Sequence, residues 1–434
     1  MRIAVVPNDS PLPPTAYDAR MSLFEFPKGN VEGYVGSGVR REFLKWVGRT
    51  GATHAWDLTG IAMAVIAADR YVNRARVSED GWTRMIDIVV AVSDPVRWDE
   101  ERSLLERMFR FLTGDIWTIR FIGGGFHPAP PRNPVGSRPE TCVSLLSGGL
   151  DSLIGAIDLQ AKSETPYFIS NRVSGECGRQ YDFAAALGAR DRLLSLNHNA
   201  KTLRGNPEIS QRPRSLAFIA FAVLAATTLD RHRDGETVDL YVPENGFISL
   251  NVPLTRLRVG SLSTRTTHPV FMADMQELLD RLDLRIRLIN PYRWKTKGEM
   301  MVECEDQDRL RELAPHSMSC GRGGRIHTHC GACLPCIVRR SSFLHWTGRV
   351  DGDETLPPYK KPAHGHDFRH QGFSRYDDVM QCLEAIDLAA RHGPGRWVGP
   401  SVSSRRIGDP QPYRDVAIRG LAEIEAFMRG AGLM

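Results

Sequence analysis

The stretch Thr141–Gln160, TCVSLLSGGLDSLIGAIDLQ, decides the fold of this chain. It begins with a continuous apolar run, CVSLL, which is typical of a parallel strand buried on both faces. The run breaks at Ser147-Gly148-Gly149 and restarts at Leu150 with apolar residues at helical spacing. The stretch therefore predicts a buried strand, a glycine-rich loop and a helix.

A loop of this composition at the start of a helix suits an anion. Backbone amides there have no intrahelical acceptor, and the helix dipole adds partial positive charge. The glycines allow close approach of the backbone, and Ser147 and Ser152 add hydroxyl donors. Asp151 fits a phosphate site when Mg²⁺ bridges carboxylate and phosphate oxygens. The alternative is a glycine turn in which Ser or Asp only caps the helix.

The order strand, loop, helix repeats through residues 141–344. Strand candidates PYFISN, RLLSLNHN, DLYVPENG and IRLINPY alternate with helix candidates such as SLAFIAFAVLAATTLDR. This alternation predicts an α/β fold, a doubly wound parallel sheet with helices on both faces. Ligands of such sheets bind at the carboxyl ends of the strands, where we expect the site.

Two further segments flank this region. Residues 1–128 mix strand candidates, RIAVV and RMIDIVVAV, with amphipathic helices, which predicts an added α+β domain. Proline is dense in FHPAPPRNPVGSRPE, which predicts a linker or an ordered loop, and we place the linker at residues 129–140. Residues 345–434 carry two amphipathic helix patterns and predict a helical C-terminal extension.

Composition narrows the class of protein. The chain has 434 residues, of which 25% are charged, and a net charge of +5. This mild charge suits an anionic ligand such as a nucleotide and lacks the dense basic stripe of a nucleic-acid-binding protein, although contact with nucleic acid stays open. The sequence contains no run of about 20 apolar residues and no secretory signal at its start, so we expect a cytoplasmic protein without membrane contact.

Four of the eight cysteines crowd together, at Cys320, Cys330, Cys333 and Cys336. Clustering of this kind favours a metal site over a disulfide framework. Four thiolates in tetrahedral geometry suit a structural Zn²⁺. An iron–sulfur cluster and buried free thiols are the alternatives.

The loop SGGLDS combined with this cysteine cluster resembles the QueC family of 7-cyano-7-deazaguanine synthases. The resemblance covers residues 141–343, about half of the chain. It implies a PP-loop ATP pyrophosphatase with an adenine nucleotide alpha hydrolase-like fold, using ATP, Mg²⁺ and Zn²⁺. Family members adenylate the carboxylate of 7-carboxy-7-deazaguanine and let ammonia form an amide, which a second ATP-dependent step dehydrates.

The resemblance assigns residues to the nucleotide site. QRPRSLAFIAFA is similar to the family's Pro-x-Arg-Asn helix start, and NPYRWKTKGEMM to its Thr-Lys-x-Glu segment. ATP is therefore predicted to bind at Ser147, Gly148, Gly149, Leu150, Asp151, Ser152, Arg214 and Lys297. Asp151 and Lys297 are also predicted to be catalytic. The alternative for Arg214 and Lys297 is a solvated charge at a helix start.

The substrate side is predicted from other segments. In YVPENGFISLN, Glu244 or Asn245 would read adjacent N–H donors of a guanine-like base, or the Asn-Gly pair simply forms a turn. In STRTTHPVFM, His268 is predicted to be a general base for the incoming amine, with a structural loop histidine as the alternative. Thr267, beside it, is assigned to the substrate site.

A chain with these added segments resembles the QueC-like proteins of bacterial anti-phage operons, the Qat system among them. The matching features are the runs LTGDIW, PENGFISLN and STRTTHP. This resemblance implies antiviral defence together with operon partner proteins. The acceptor of the adenylated carboxylate is then ammonia or an amine on a partner protein.

Two other functions remain open at this point. One is tRNA thiolation, a PP-loop chemistry that needs a reactive cysteine outside the metal cluster, for which Cys142, Cys177, Cys304 and Cys382 are the candidates. The other is an ATP-binding scaffold without turnover. The sequence also leaves open whether the chain is a monomer or a homodimer.

Overall fold

The computed structural model describes residues 1–12, 17–47, 51–129, 136–172, 177–205, 207–208, 212–255, 265–321, 328–360 and 378–434. Within these ranges the chain forms an α/β structure with two sheets. The first is built mainly from strands within residues 2–122, and the second from strands within residues 142–289. None of the described helices has the length and apolar character that crossing a bilayer requires.

The first sheet is built mainly from the N-terminal segment. Its first five strands are β1 (Arg2–Val6), β2 (Ala19–Leu23), β3 (Gly33–Val35), β4 (Met85–Ala91) and β5 (Ile116–Ile122). Helices α1 (Ser37–Val47), α2 (Thr53–Tyr71) and α3 (Arg74–Val77) join β3 to β4, and α4 (Pro95–Glu100) and α5 (Arg102–Thr113) join β4 to β5.

The strands of this sheet lie in the order β5-β4-β1-β2-β3, and all of these neighbours pair in parallel. The expected α+β domain is therefore wrong, because this segment is itself α/β. Helices join β3 to β4 and β4 to β5, the kind of connection that parallel strands require. The strand β3 has only three residues, and β2, ARMSL, lacks the run of β-branched residues that marks β1 and β4, so the sequence pattern did not reveal them.

The second sheet contains the glycine-rich loop. Its strands are β6 (Cys142–Leu145), β7 (Pro166–Asn171), β8 (Leu193–Leu196), β10 (Val238–Tyr241) and β11 (Ile286–Ile289), all parallel, in the order β11-β10-β6-β7-β8. The main helices between them are α6 (Leu150–Ala161), α7 (Cys177–Ala186), α8 (Arg214–Ala226), α9 (Asp230–Arg233), α10 (Gly246–Leu250) and α11 (Pro269–Arg281). The predicted parallel sheet is confirmed.

Both sheets share one arrangement, since the first strand of each is central. The strand β1 lies between β2 and β4, and β6 lies between β7 and β10. A short strand of the second half, β9 (Lys201–Thr202), pairs antiparallel with β3 and completes the edge of the first sheet. The two halves of the chain are therefore interleaved.

The two sheets also share a hydrophobic core. The helices α2 and α8 are buried along most of their length and pack on each other between the sheets. Thr227 Oγ1 accepts a hydrogen bond from Ala52 N at 3.0 Å across this contact. One continuous cluster of buried apolar side chains contains residues of both segments. Of the predicted linker, residues 130–135 lie outside the described residues.

The remaining helices follow the second sheet. They are α12 (Lys297–Val302), α13 (Gln307–Leu313), α14 (Leu334–Thr347), α15 (Asp378–His392), α16 (Pro394–Val398) and α17 (Gln411–Gly430). The C-terminal helix α17 packs on α14 and α10. Within residues 378–434, the extension is therefore helical, as predicted, and it is folded against the second sheet's domain.

Candidate active site and metal centre

The glycine loop, Ser147–Ser152, joins the central strand β6 to helix α6. Gly148 adopts a left-handed backbone with φ of +86°, which favours glycine. The Ser152 hydroxyl accepts a hydrogen bond from Ser147 N at 3.1 Å and donates one to Gly149 O at 3.0 Å. These bonds fold the loop back over the first turn of α6. The loop thus presents the start of a helix at the carboxyl end of the central strand, the position where parallel sheets bind ligands.

Asp151 is buried at the centre of a polar cluster. Its Oδ2 accepts hydrogen bonds from Asn245 N at 3.0 Å and Asn245 Nδ2 at 2.7 Å. Its Oδ1 lies 2.6 Å from Lys297 Nζ, and both side chains are more than nine-tenths buried. The pKa of Asp151 is lowered from its ordinary value because Lys297 and these hydrogen bonds outweigh the opposing effect of burial. We call Asp151, Glu244, Asn245 and Lys297 the carboxylate cluster.

Glu244 faces Asp151 in this cluster. Burial is the largest cause that raises the pKa of Glu244 well above its usual range, followed by the charge of Asp151 and the hydrogen bond to it. Two carboxyl groups this close do not both ionise easily, so Glu244 keeps its proton beside the ionised Asp151. The pair therefore has the acid–base character that functional sites use.

Asn245 has a role that the sequence did not reveal. Its Oδ1 accepts from Ile248 N at 3.0 Å and so caps α10, while its Nδ2 holds Asp151. The side chain is completely buried, and its amide is engaged at both ends. This geometry favours a structural role for Asn245, whereas the half-buried Glu244 remains a candidate for contact with substrate.

Lys297 begins helix α12 and is held by local and distant contacts. Thr296 forms a capping box with Glu299, which fixes the start of the helix. Glu423, from the C-terminal helix α17, accepts hydrogen bonds from Thr296 Oγ1 and Gly298 N. A Cβ atom on Gly298 would lie 2.6 Å from Glu423 Oε1, so this approach requires glycine. Nothing in the sequence pattern signalled Glu423, because the contact is purely tertiary.

Arg214 is the first residue of α8 and lies near the carboxyl end of β8. Burial and the charges of Arg70 and Arg214 lower the pKa of His198 to about 4. Arg214 therefore contributes positive charge two strands along from the glycine loop. Its predicted contact with ATP stays a prediction.

His268 and Thr267 precede helix α11. His268 Nδ1 accepts a hydrogen bond from Val270 N at 3.2 Å, and its ring packs on Phe111 with centroids 4.9 Å apart. Burial and the charge of Arg265 lower the pKa of His268 to about 3. A neutral ring that accepts through Nδ1 carries its proton on Nε2, so no lone pair is left for a general base. The geometry therefore favours a structural role for His268. Thr267 lines a cavity at the carboxyl end of β11.

The four predicted cysteine ligands come together. The sulfur atoms of Cys320, Cys330, Cys333 and Cys336 all lie within 4.8 Å of one another, and all four residues are buried. Backbone amides support the sulfurs: Cys330 N donates to Cys320 Sγ at 3.4 Å, and Cys333 N donates to Cys330 Sγ at 3.3 Å. The four residues are thus positioned to hold a metal ion, and the all-thiolate set fits Zn²⁺.

The cysteine cluster is tied to the glycine loop. Met318 packs against the four cysteines, and its backbone N donates to Gly148 O at 2.9 Å. A Cβ atom on Gly149 would lie 3.3 Å from Met318 O. The cysteine cluster therefore supports the loop from one side through Met318.

A second feature beside the loop, the contact between Gln180 and Asn171, has no signal in the sequence. Gln180 Nε2 donates to both Ser147 O and Asn171 O at 3.1 Å, which bridges the ends of β6 and β7. Asn171 is 1% exposed, and neither polar atom of its side chain has a hydrogen-bond partner among the described residues. Buried polar atoms of this kind require a partner such as a water molecule, an ion or a ligand, and Asn171 lies beside the glycine loop where a ligand could supply it. Only knowledge of strand order would have brought Asn171 next to the loop.

Scans against protein-family models, curated proteins and solved structures found no match to the chain.

Proposed function

We propose that this protein is an ATP-dependent, PP-loop-type enzyme that adenylates a 7-carboxy-7-deazaguanine-type carboxylate and forms an amide with ammonia or a partner-protein amine. The proposal includes a role in bacterial anti-phage defence with operon partners. It follows from the resemblance of SGGLDS and the cysteine cluster to QueC-type enzymes.

One observation carries the proposal. The glycine loop lies at the carboxyl end of the central strand, and Asp151, the second residue of the helix that follows, forms a buried ion pair with Lys297 of α12. A helix start with glycine amides and serine hydroxyls provides donors for phosphate oxygens. Lys297 adds a positive charge in a site that water barely reaches, where it would stabilise charge on a reacting phosphate.

The proposed reaction has two steps. The substrate carboxylate attacks the α-phosphorus of ATP, which forms an acyl adenylate and releases pyrophosphate. An amine then attacks the acyl carbon, a C–N bond forms, and AMP leaves. The proton that the amine loses as the C–N bond forms passes to solvent, and Glu244, whose raised pKa keeps it protonated, is the candidate donor of a proton to the departing AMP.

Mg²⁺ is implied by the resemblance, and the carboxylate of Asp151 is the ligand type that it prefers. Mg²⁺ held there would offset the negative charge of the triphosphate. The chain's own residues would hold the phosphates at the glycine loop and keep Lys297 oriented through Thr296 and Glu423.

The thiolation alternative receives less support. Burial raises the pKa of Cys142 and of Cys304 to about 12, so neither thiol ionises readily at neutral pH. Cys382 is also buried, and the side chain of Cys177 lies outside the described part of the chain.

The test is release of pyrophosphate and AMP from ATP, Mg²⁺ and 7-carboxy-7-deazaguanine, with and without ammonium. The Asp151→Asn variant should lose the reaction, and Asp182→Asn, on the exposed face of α7, should retain it. Mass spectrometry of the small molecules and of operon partners would identify the amine. Binding of ATP without release under any of these conditions would instead favour the scaffold.

A further inference from the structure

A cavity of about 250 Å³ lies at the carboxyl end of β11. The first turns of α11 form one wall of the cavity. Thr267, which comes shortly before α11, and Asn290, which follows β11 directly, also line it. The opposite wall comes from the C-terminal extension, through Arg406, Ile407, Gly408 and Tyr413. Two distant parts of the chain thus enclose one space.

Asn290 connects this cavity to the carboxylate cluster. Its Oδ1 accepts from Tyr292 N at 3.1 Å and from Glu244 N at 3.4 Å, so the side chain is fixed directly beside Glu244. Its Nδ2 is buried and has no hydrogen-bond acceptor among the described residues. Asn290 is 8% exposed and lines the cavity. A buried donor without an acceptor at a cavity wall is suited to a ligand oxygen or ring nitrogen.

The wall from the C-terminal extension is anchored rather than loosely placed. Arg406 Nε donates to Asp274 Oδ1 at 2.7 Å, and Asp274 is a buried residue of α11. Arg419, in the C-terminal helix α17, donates to Glu299 Oε1 at 2.6 Å and to Trp294 O at 2.7 Å. These contacts fix residues 406–413 against the second sheet's domain.

The lining favours a flat heterocycle. Met272, Leu288 and Ile407 are apolar, while Asn290 and Arg293 carry N–H donors. Apolar faces with a few convergent donors recognise planar rings that carry oxygen or nitrogen acceptors on their edge. A ring bound against Asn290 would lie next to the backbone of Glu244, whose N–H donates to Asn290 Oδ1.

We propose that this cavity binds the heterocyclic ring of the substrate and that residues 406–413 of the C-terminal extension are its specificity wall. The proposal rests on the proposed function for the carboxylate chemistry, but the ring site itself is testable without turnover.

The test measures binding of 7-carboxy-7-deazaguanine, guanine and ATP to the full chain by calorimetry. Ala273 lines the cavity from α11, and Ala273→Leu would fill part of it. We expect at least ~10-fold weaker binding of the ring ligands and unchanged binding of ATP. The control Ala185→Leu makes the same change on the exposed face of α7 and should leave every affinity unchanged. As a second variant, Tyr413→Ala opens the wall and should likewise weaken ring binding alone.

The outcomes separate the two proposals. Ring binding that neither Ala273→Leu nor Tyr413→Ala affects would overturn the cavity assignment, even if pyrophosphate is released. If both variants weaken the binding of guanine but no pyrophosphate is released, the cavity assignment would be supported and the proposed reaction would be overturned. Failure of the wild-type chain to bind either heterocycle would overturn the cavity assignment.

Discussion

The ammonium group of Lys297 lies 2.6 Å from Oδ1 of Asp151, and the two residues stand in the first turns of two different helices, α12 and α6. This ion pair is almost fully buried. Its charges are compensated mainly by each other and by the amide of Asn245. Removing one charge therefore affects both the fold and the proposed chemistry.

The Lys297→Met variant should unfold more easily and lose pyrophosphate release. It leaves the carboxylate of Asp151 buried without its cation, which typically costs about 3–5 kcal/mol in the free energy of unfolding. We expect at least ~100-fold slower release, since the charge that would act on the phosphates is gone. Urea unfolding and a pyrophosphate assay measure the two effects. Lys295→Met, two residues earlier at a partly exposed ion pair with Glu303, is the matched control and should change neither. An unchanged urea midpoint for Lys297→Met would contradict the importance of the pair.

The cysteine cluster should bind one zinc ion per chain, as measured by elemental analysis. The Cys333→Ser variant should lose the metal and melt at a lower temperature, because a structural zinc site contributes directly to folding. Since Met318 links the cluster to Gly148, we also expect at least ~10-fold weaker ATP binding. Cys304→Ser, outside the cluster, should keep the metal and the affinity for ATP. Full metal content in Cys333→Ser, or iron in place of zinc, would refute the assignment.

Glu423 should make stability depend on pH. Burial is the main cause that raises the pKa of Glu423 from 4.5 to about 7. A raised pKa means that the folded state holds a proton that the unfolded state releases. The stabilisation is present below pH 4.5 and is lost as the pH rises through 7.

Compared with Glu423→Gln, the wild-type free energy of unfolding should therefore fall between these pH values, by at most ~1.4 kcal/mol per pH unit. Urea unfolding at pH 5, 6, 7 and 8 measures this difference. Glu425→Gln, at an exposed pair with Arg429, should run parallel to the wild type. A constant difference between wild type and Glu423→Gln at every pH would show that Glu423 is ionised throughout.

A fragment that starts at residue 129 should be insoluble. Helix α8 is apolar almost all round, and α2 covers the face that the second sheet leaves open. Co-expression with residues 1–128 should restore soluble protein, because each fragment supplies half of one core. Soluble yield and circular dichroism report the result. A soluble fragment that unfolds cooperatively by itself would mean that the second sheet's domain does not need α2.

The sequence predicted the centre of the molecule better than its edges. The strand β6, the glycine loop and α6 were correctly located, because an unbroken apolar run, two glycines and a helical repeat are all local signals. The four cysteines were equally readable, since their spacing is local. The strand β9 has two residues and no periodicity, so its pairing with β3 follows only from the folded chain.

The site shows the same limit. Asp151 and Lys297 were predicted through their motifs, and the structure brings them together. Asn245 and Glu423 depend on distant partners: the Asn-Gly pair looked like a turn but begins α10, and Glu423 lies on an amphipathic helix like many others. His268 looked like a catalytic base because the sequence does not reveal that its ring caps α11.

The strand β9 has a consequence for the order of events during synthesis. The edge of the first sheet stays open until residues 201 and 202 have left the ribosome, by which time β6, β7 and β8 have already been made. An open edge invites pairing with other chains. The exposed backbone of β3 is therefore a point of vulnerability for nascent chains, and translational pausing between residues 129 and 200 should increase their aggregation.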